Sequence, residues 1–451
     1  MIAILALNLL AVAAAILAPN AVLAQHAYLF FGLQLATLVP HLLGRAFYAR
    51  NLFLPSLFAL TYALVNEAFG SFLVPRHFGW YKGYAPVALG IERYNLIVPY
   101  LMVANLLLFL LALAAIQRMA RSAPPGGREA PGPGARGTLL EAGCVGVFVL
   151  ATVAGGFATF SLQLASLVVH LGEVARRRAP YRLLVSLAYL VGMLASSYQS
   201  KRQIAIVLFL VMFMEVHRRA AVVRFTPPAL AGFGLAGGGF LALVLAASVL
   251  RGYGGYQVTN PLQALAAIPR YATSDIFVDG LVDNLELNYS YGSAIAAMDL
   301  VLEGRLDYQY GASLWKVAFL PIPRSVFPDK PESVMQLFTQ VFAPGMWATG
   351  GSLPVVFSVD MFINFGVLGL LPFALVWLVL DRVFQRFLAS GERSFGRYAS
   401  LFLLITALIL ARGSGLELYL LTFLLGFPVL VLAAGSMSVA RALVPLAPGR
   451  D

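Results

Sequence analysis

Cysteine occurs once in the 451 residues, at Cys144 inside an apolar run, so neither an intramolecular disulfide nor a cysteine-based zinc site can form. Charge is also scarce. Asp, Glu, Lys and Arg make up 11% of the chain against 60% hydrophobic residues, and mean hydropathy is +0.83, which leaves too few polar side chains to clothe a soluble globule of this length. Acidic residues are fewer than basic ones, 20 against 31. In a soluble protein the net charge of +11 would point to nucleic acid. Here the basic residues sit in short loops between apolar runs, the positive-inside arrangement of membrane proteins, and no nucleic-acid partner is expected. The chain lacks an Asp-x-Asp pair and a Cys or His ligand set, so no metal and no other cofactor is expected either. No internal repeat relates two halves, which counts against the transporter folds built from such repeats.

What is present is a succession of apolar runs: Met1 to Leu17, Tyr28 to Leu43, Phe53 to Val74, Ile97 to Ile116, Leu139 to Val153, Phe157 to Leu171, Leu183 to Ala195, Ile204 to Val216, Leu230 to Leu250, Phe362 to Leu380, Leu401 to Ala411 and Leu418 to Ala434. The expected fold is all-α, a polytopic membrane protein of about twelve transmembrane helices with one large, partly helical periplasmic loop. Met1 to Leu17 lacks a basic n-region, whereas Val22-Leu-Ala24 before Gln25 has cleavage-site form. The run reads as a retained first helix or as a signal peptide, and either delivers residue 25 to the outside. Residues 139–171 are divided at Gly155-Gly156, because only then do the arginine clusters at 176–178 and 218–224 both face inward. With the N-terminus inside, nineteen of the thirty-one basic residues fall in inner loops or the tail. The organisation is four spans in 1–121, a flexible inner Pro/Gly linker at 122–138, five spans in 139–250, a periplasmic loop at 251–359 and three spans in 360–451.

The loop holds Pro321-Ile-Pro-Arg324-Ser-Val-Phe-Pro-Asp329-Lys330-Pro331, four prolines in eleven residues. Repeatedly fixed φ and missing donors make this neither helix nor strand but a rigid loop that holds its cations in fixed relative positions. About thirty residues later comes Asp360-Met-Phe-Ile-Asn364-Phe-Gly366, leading into the next apolar run. Together these strings resemble the Wzy-type O-antigen or oligosaccharide repeat-unit polymerases of bacterial envelopes. That family usually carries Glu where this chain has Asp360. The resemblance implies an inner-membrane glycosyltransferase with its site facing the periplasm. It would move a growing glycan from undecaprenyl diphosphate to the non-reducing end of another lipid-linked repeat unit, with inversion, without metal, and with a polysaccharide chain-length regulator as a further partner.

An ionisable group at mid-membrane costs on the order of 3 kcal/mol, so those in or beside spans need a role. Lys201-Arg202 interrupts two apolar runs at the outer side, and Arg412 and Glu417 flank the outer turn Gly413-Ser-Gly415. Asp360 opens the tenth span. With Arg270, Arg324 and Lys330 of the loop, these form an outward-facing set of cations with two carboxylates. Each also reads as a helix-end residue snorkelling to the interface. Taken jointly, Lys201, Arg202, Arg270, Arg324, Lys330 and Arg412 suit a diphosphate: Arg offers a bidentate fork and Lys a mobile point charge. Asp360 and Glu417 are the candidate general bases for an acceptor hydroxyl, and equally candidate partners for a neighbouring Arg. The aromatic loop residues, Tyr308 and Tyr310 among them, fit either sugar stacking or an interfacial belt. Glu67 and His170 are scattered groups expected to satisfy each other or a backbone carbonyl. His26, His41, His77, His170 and His217 all lie outside the long loop, which favours polymerase over the O-antigen ligases, with their functional loop histidine. A flippase of lipid-linked oligosaccharide is the other alternative.

Overall fold

The structure, a computed structural model, describes residues 2–43, 54–77, 93–121, 135–154, 157–176, 227–250, 258, 261–278, 289–319, 322, 325–389, 395–413 and 415–434. Among them every regular element is helical and there is no strand. Five stretches are long and apolar enough to cross a membrane: Asn20–Leu38, Pro55–Val74, Tyr94–Arg118, Phe357–Phe387 and Leu416–Ala433. The expected spans Leu183 to Ala195 and Ile204 to Val216 lie outside the described residues. So do Lys201, Arg202 and Arg324. The run 139–171 is two helices, α5 (Ala135–Ala154) and α6 (Phe157–Arg176), packed against each other. The first of these begins at Ala135, so the end of the stretch read as linker is helical.

The chain forms two compact units. The first takes residues 1–114, 244–379 and 407–420. Its core joins α1 (Ile2–Leu17), α2 (Asn20–Leu43) and the first half of α4 (Tyr94–Arg121) to three elements of the long loop region: α9 (Tyr289–Leu302), α11 (Val334–Phe342) and α13 (Phe357–Phe365). Several polar side chains inside it pair with one another, which offsets the cost of burying them in an apolar bundle. Gln34 Nε2 donates to Asn8 Oδ1 at 2.9 Å and to the Met102 carbonyl at 3.1 Å, while Asn8 Nδ2 donates to Thr37 Oγ1 at 3.1 Å.

Helix α9 lies within the stretch 251–359 read as a periplasmic loop, yet it is largely buried. Ser290, Ser293, Ala294 and Ala297 put a stripe of small, buried residues at helical spacing, which lets neighbouring backbones approach closely. It packs on α3 (Pro55–His77) and on α13, and the Tyr62 and Ser290 hydroxyls meet at 3.1 Å. Its 14 residues make roughly 21 Å, short of the roughly 30 Å of a hydrocarbon core. At the far end of α9 an ion pair fixes it to the start of α4: Arg93 Nη1 lies 2.7 Å from Asp299 Oδ1 and 3.0 Å from Glu303 Oε1.

The apolar run expected to be one span from Phe362 to Leu380 folds differently. Helix α13 ends at Phe365, a 3₁₀ turn covers Gly366–Gly369, and α14 (Leu370–Ala389) follows. In a straight helix Phe357 and Trp377 would stand about 30 Å apart. Here their rings are 6.3 Å apart, and Phe357 also meets Phe373 at 5.7 Å. The two helices therefore double back on each other as a tight hairpin. Two glycines make the reversal possible: Gly366 adopts φ +60, and Gly369 lies where a Cβ would strike the backbone of Met361 and Phe362. Helix α14 alone, at 20 residues, is long enough to span a bilayer. Asp360 is thus not the threshold residue of a span but part of a short helix folded back into the bundle.

The second unit takes residues 115–243, 380–406 and 421–451. Within it Gln385 Nε2 donates to the Ala115 carbonyl at 3.1 Å, and Phe395 and Phe427 meet edge to face at 5.7 Å.

Candidate active site

The site assembles in the first unit around the first turn of α13. Asp360 lies there with its backbone N–H on the Val356 carbonyl at 2.9 Å, at the N-terminal end of a helix, where the dipole favours a carboxylate. Asn364 is one turn further on the same face. Its Nδ2 donates to Asp360 Oδ1 at 3.0 Å and to the Asp360 carbonyl at 2.9 Å. Ser313, on α10 (Ala312–Phe319), donates in turn to Asn364 Oδ1 at 2.8 Å. The recurrence Asp360-x-x-x-Asn364 is therefore a positional device: the amide orients the acid, and a hydroxyl from another helix orients the amide.

Arg412 and Glu417 come to the same place through a turn. Helix α15 (Phe395–Arg412) stops at Arg412, and α16 (Leu416–Ala434) starts with Glu417 in its first turn. Between them Gly413 and Gly415 take φ +91 and +83, the left-handed region that side chains avoid. A Cβ on Gly413 would run into the backbone of Val355 and Val356. The Val355 N–H donates to the Gly413 carbonyl at 3.0 Å. The turn is thus seated on the segment that begins α13, five residues before Asp360. Asp360, Arg412 and Glu417 are all buried, and the two carboxyls lie within electrostatic reach of one another.

Two further side chains complete the constellation. Glu417 is hydrogen-bonded by the Ser333 hydroxyl and faces the Lys316 ammonium. Ser333 caps α11 in a capping box with Gln336, and Lys316 Nζ donates to Gln336 Oε1 at 2.5 Å. Neither Lys316 nor Ser333 belongs to the proline-framed segment or to the apolar-run boundaries that mark the other charges in the sequence. The available signal was a single Lys inside the otherwise uncharged eight-residue helix α10.

Other expected members stand elsewhere. Arg270 is exposed in the last turn of α8 (Pro261–Ala272). That helix buries Ala264 and Tyr271 against Leu245, Ala246 and Val249 of α7 (Pro227–Leu250), in a cluster of its own. Lys330 is half-buried in the proline-rich segment, which between Ser325 and Pro331 is turn and not helix, and its Nζ donates to the Ile322 carbonyl at 3.3 Å. Glu67 accepts from the Asn105 side chain, where His170 or a backbone carbonyl was the expected partner. With Tyr62, Ser290 and Ser358, Glu67 and Asn105 line a cavity of about 30 Å³, room for roughly two waters.

No family model matches the chain, and no solved structure matches it. A stretch of 116 residues is 32% identical to the O-antigen polymerase of Salmonella typhimurium, and a stretch of the same length is 32% identical to that of Salmonella typhi. Each match covers 25% of this chain and 27% of the relative. The chain is similar to these polymerases over about a quarter of their length.

Proposed function

We propose that this protein is an O-antigen polymerase of the bacterial inner membrane, working on undecaprenyl diphosphate-linked oligosaccharide at the periplasmic face. The observation that carries the proposal is the convergence of two buried carboxyls, Asp360 and Glu417, on the turn that bears Arg412, with Lys316 facing Glu417. The local similarity to two named O-antigen polymerases supports it.

In the proposed reaction an acceptor hydroxyl oxygen attacks the anomeric carbon of the glycan. The bond from that carbon to the diphosphate breaks, the electron pair leaves with the lipid diphosphate, and the hydroxyl proton passes to a carboxylate. Asp360 is assigned that proton, since Asn364 holds its carboxylate in one orientation while Glu417 is engaged with Lys316. Negative charge grows on the departing diphosphate, so cations fixed beforehand stabilise the transition state more than the ground state. Arg412 and Lys316 are assigned that role. Lys201, Arg202 and Arg324 remain further members of the proposed cradle, whereas Arg270 and Lys330 are left out of it. Attack from the face opposite the leaving group gives inversion, and a chain-length regulator is the proposed protein partner.

The test is a gel of envelope glycolipids from cells carrying Asp360→Asn or Arg412→Ala in place of the parent protein. The expected result is lipid core bearing a single repeat unit, because flipping and ligation do not depend on elongation. Bare core in both strains would reassign the protein to flipping. Full-length polymer at normal protein levels would remove the two residues from the site.

A further inference from the structure

A second feature lies at the other end of α13, where the hairpin turns. Tyr308, Tyr310, Phe365, Gly366, Leu368 and Leu371 enclose an open groove of about 490 Å³, within the size range of small-molecule sites, about 300–1,000 Å³. Its tyrosine wall is held under strain. Tyr310 has φ +47 and is 81% exposed, an arrangement a bulky residue keeps only where its surroundings enforce it. The enforcement is visible: the Gln309 N–H donates to the Ile363 carbonyl at 2.9 Å. Next to it, Gly311 sits where a Cβ would come within 3.3 Å of the Phe365 ring. Tyr308 stands 6.2 Å from Tyr310 and 6.1 Å from Phe362.

The opposite wall is purely aliphatic and continues beyond the groove. Leu368, Leu371, Leu375 and Val379 are exposed on one side of the 3₁₀ turn and α14, while Phe373, Trp377 and Leu380 are buried on the other. On a helix long and apolar enough to cross a membrane, such a stripe faces lipid. The groove therefore opens from the bilayer-facing stripe toward two phenols whose hydroxyls suit the headgroup level. A glycan subsite would need several placed polar groups to replace the waters of its hydroxyls, and here only the phenols are polar. The groove and the site share α13: Phe365, which lines the groove, follows Asn364, whose amide holds Asp360.

We propose that this groove binds the isoprenoid chain of the lipid-linked substrate next to its diphosphate, holding the anomeric carbon in register with Asp360 and Arg412. The identity of the chain rests on the polymerase reading, whereas the groove itself does not. The aliphatic wall supplies non-directional contact, and Tyr308 and Tyr310 mark the level at which chain gives way to headgroup.

The test uses the full-length protein in phosphatidylcholine nanodiscs and a farnesyl diphosphate analogue bearing a photoreactive diazirine, with a diazirine phosphatidylcholine in parallel. Label from the isoprenyl compound is expected in segments 308–311 and 365–372, in excess over the phospholipid, and displaced by unlabelled farnesyl diphosphate. Tyr310→Gly removes the ring yet accepts the left-handed backbone, so it should fold at least as well as the parent. Label in that variant should fall about tenfold, as loss of an aromatic contact of about 1.4 kcal/mol implies. Leu371→Asn, on the exposed wall, should behave likewise. Equal labelling by the phospholipid, or undiminished labelling in both variants, would overturn the proposal. Displacement by free repeat-unit oligosaccharide but not by farnesyl diphosphate would overturn it in favour of a glycan site. Groove label that persists in excess inorganic pyrophosphate upholds the groove while removing the diphosphate contact from the polymerase reading, so the two fail separately.

Discussion

Replacing Gly369 by alanine tests whether the hairpin of α13 on α14 positions Asp360. The added Cβ would lie within 3.0 Å of the Phe362 nitrogen and closer still to the Met361 carbonyl. These are backbone atoms of the helix that carries Asp360, and they cannot swing aside as a side chain can. Met361 and Gly369 are eight residues apart and would be about 12 Å apart in an uninterrupted helix, so the contact exists only because the chain reverses. Overpacking of this kind costs about 1–3 kcal/mol. For a domain of comparable size that lowers the unfolding midpoint by roughly 2–4 °C per kcal/mol. Gly304→Ala is the control: Gly304 has φ +70 but nothing near its absent Cβ, so alanine there meets only the left-handed backbone penalty of about 1–2 kcal/mol. Thermal unfolding of the detergent-solubilised proteins and the envelope glycolipid ladder are read together. Both variants should unfold earlier, but only Gly369→Ala should shorten or abolish the polymer, because only that change displaces the backbone at Asp360. A normal ladder from Gly369→Ala, or equal loss in both variants at matched protein levels, would refute the link between hairpin and site.

A double-mutant cycle of Lys316→Met and Glu417→Gln, followed by thermal unfolding, should show coupling of about 1 kcal/mol, modest because Lys316 is partly solvated; additive effects would mean the two groups do not interact. The Arg93 side chain, hydrogen-bonded to Glu303, holds that carboxyl below its ordinary value of 4.5. A depressed carboxyl contributes stability above its unfolded pKa and loses it as pH falls through the folded one. The parent should therefore exceed Glu303→Gln in unfolding temperature near neutral pH, with the gap closing below pH 4.5. A gap that does not change with pH would show that the ion pair is not its source.

The helical character of the described residues and the position of most of their long helices were legible in the sequence, because hydropathy over some twenty residues is a local property. The division of 139–171 into two helices was read instead from loop charges. Asp360, Arg412 and Glu417 stood out because ionised groups are rare in such a chain. What remained hidden was every feature that depends on where the chain turns back. Residues 362–380 are one apolar run whichever way they fold, and the reversal is revealed by the ring contacts of Phe357 with Phe373 and Trp377 and by the approach of Gly369 to Met361. Helix α9 looked like loop because Ser, Gly and Ala are weakly hydrophobic, yet their smallness is what admits it to the core. Lys316 is the one charge in α10, yet nothing in the sequence pairs it or Ser333 with Glu417, which both meet only through the tertiary fold. Composition and periodicity thus determined that the chain is a set of membrane-type helices, and the tertiary structure alone decided which charges meet. Lateral position in a bundle is set by side-chain fit between distant segments, and one-dimensional pattern carries no record of it.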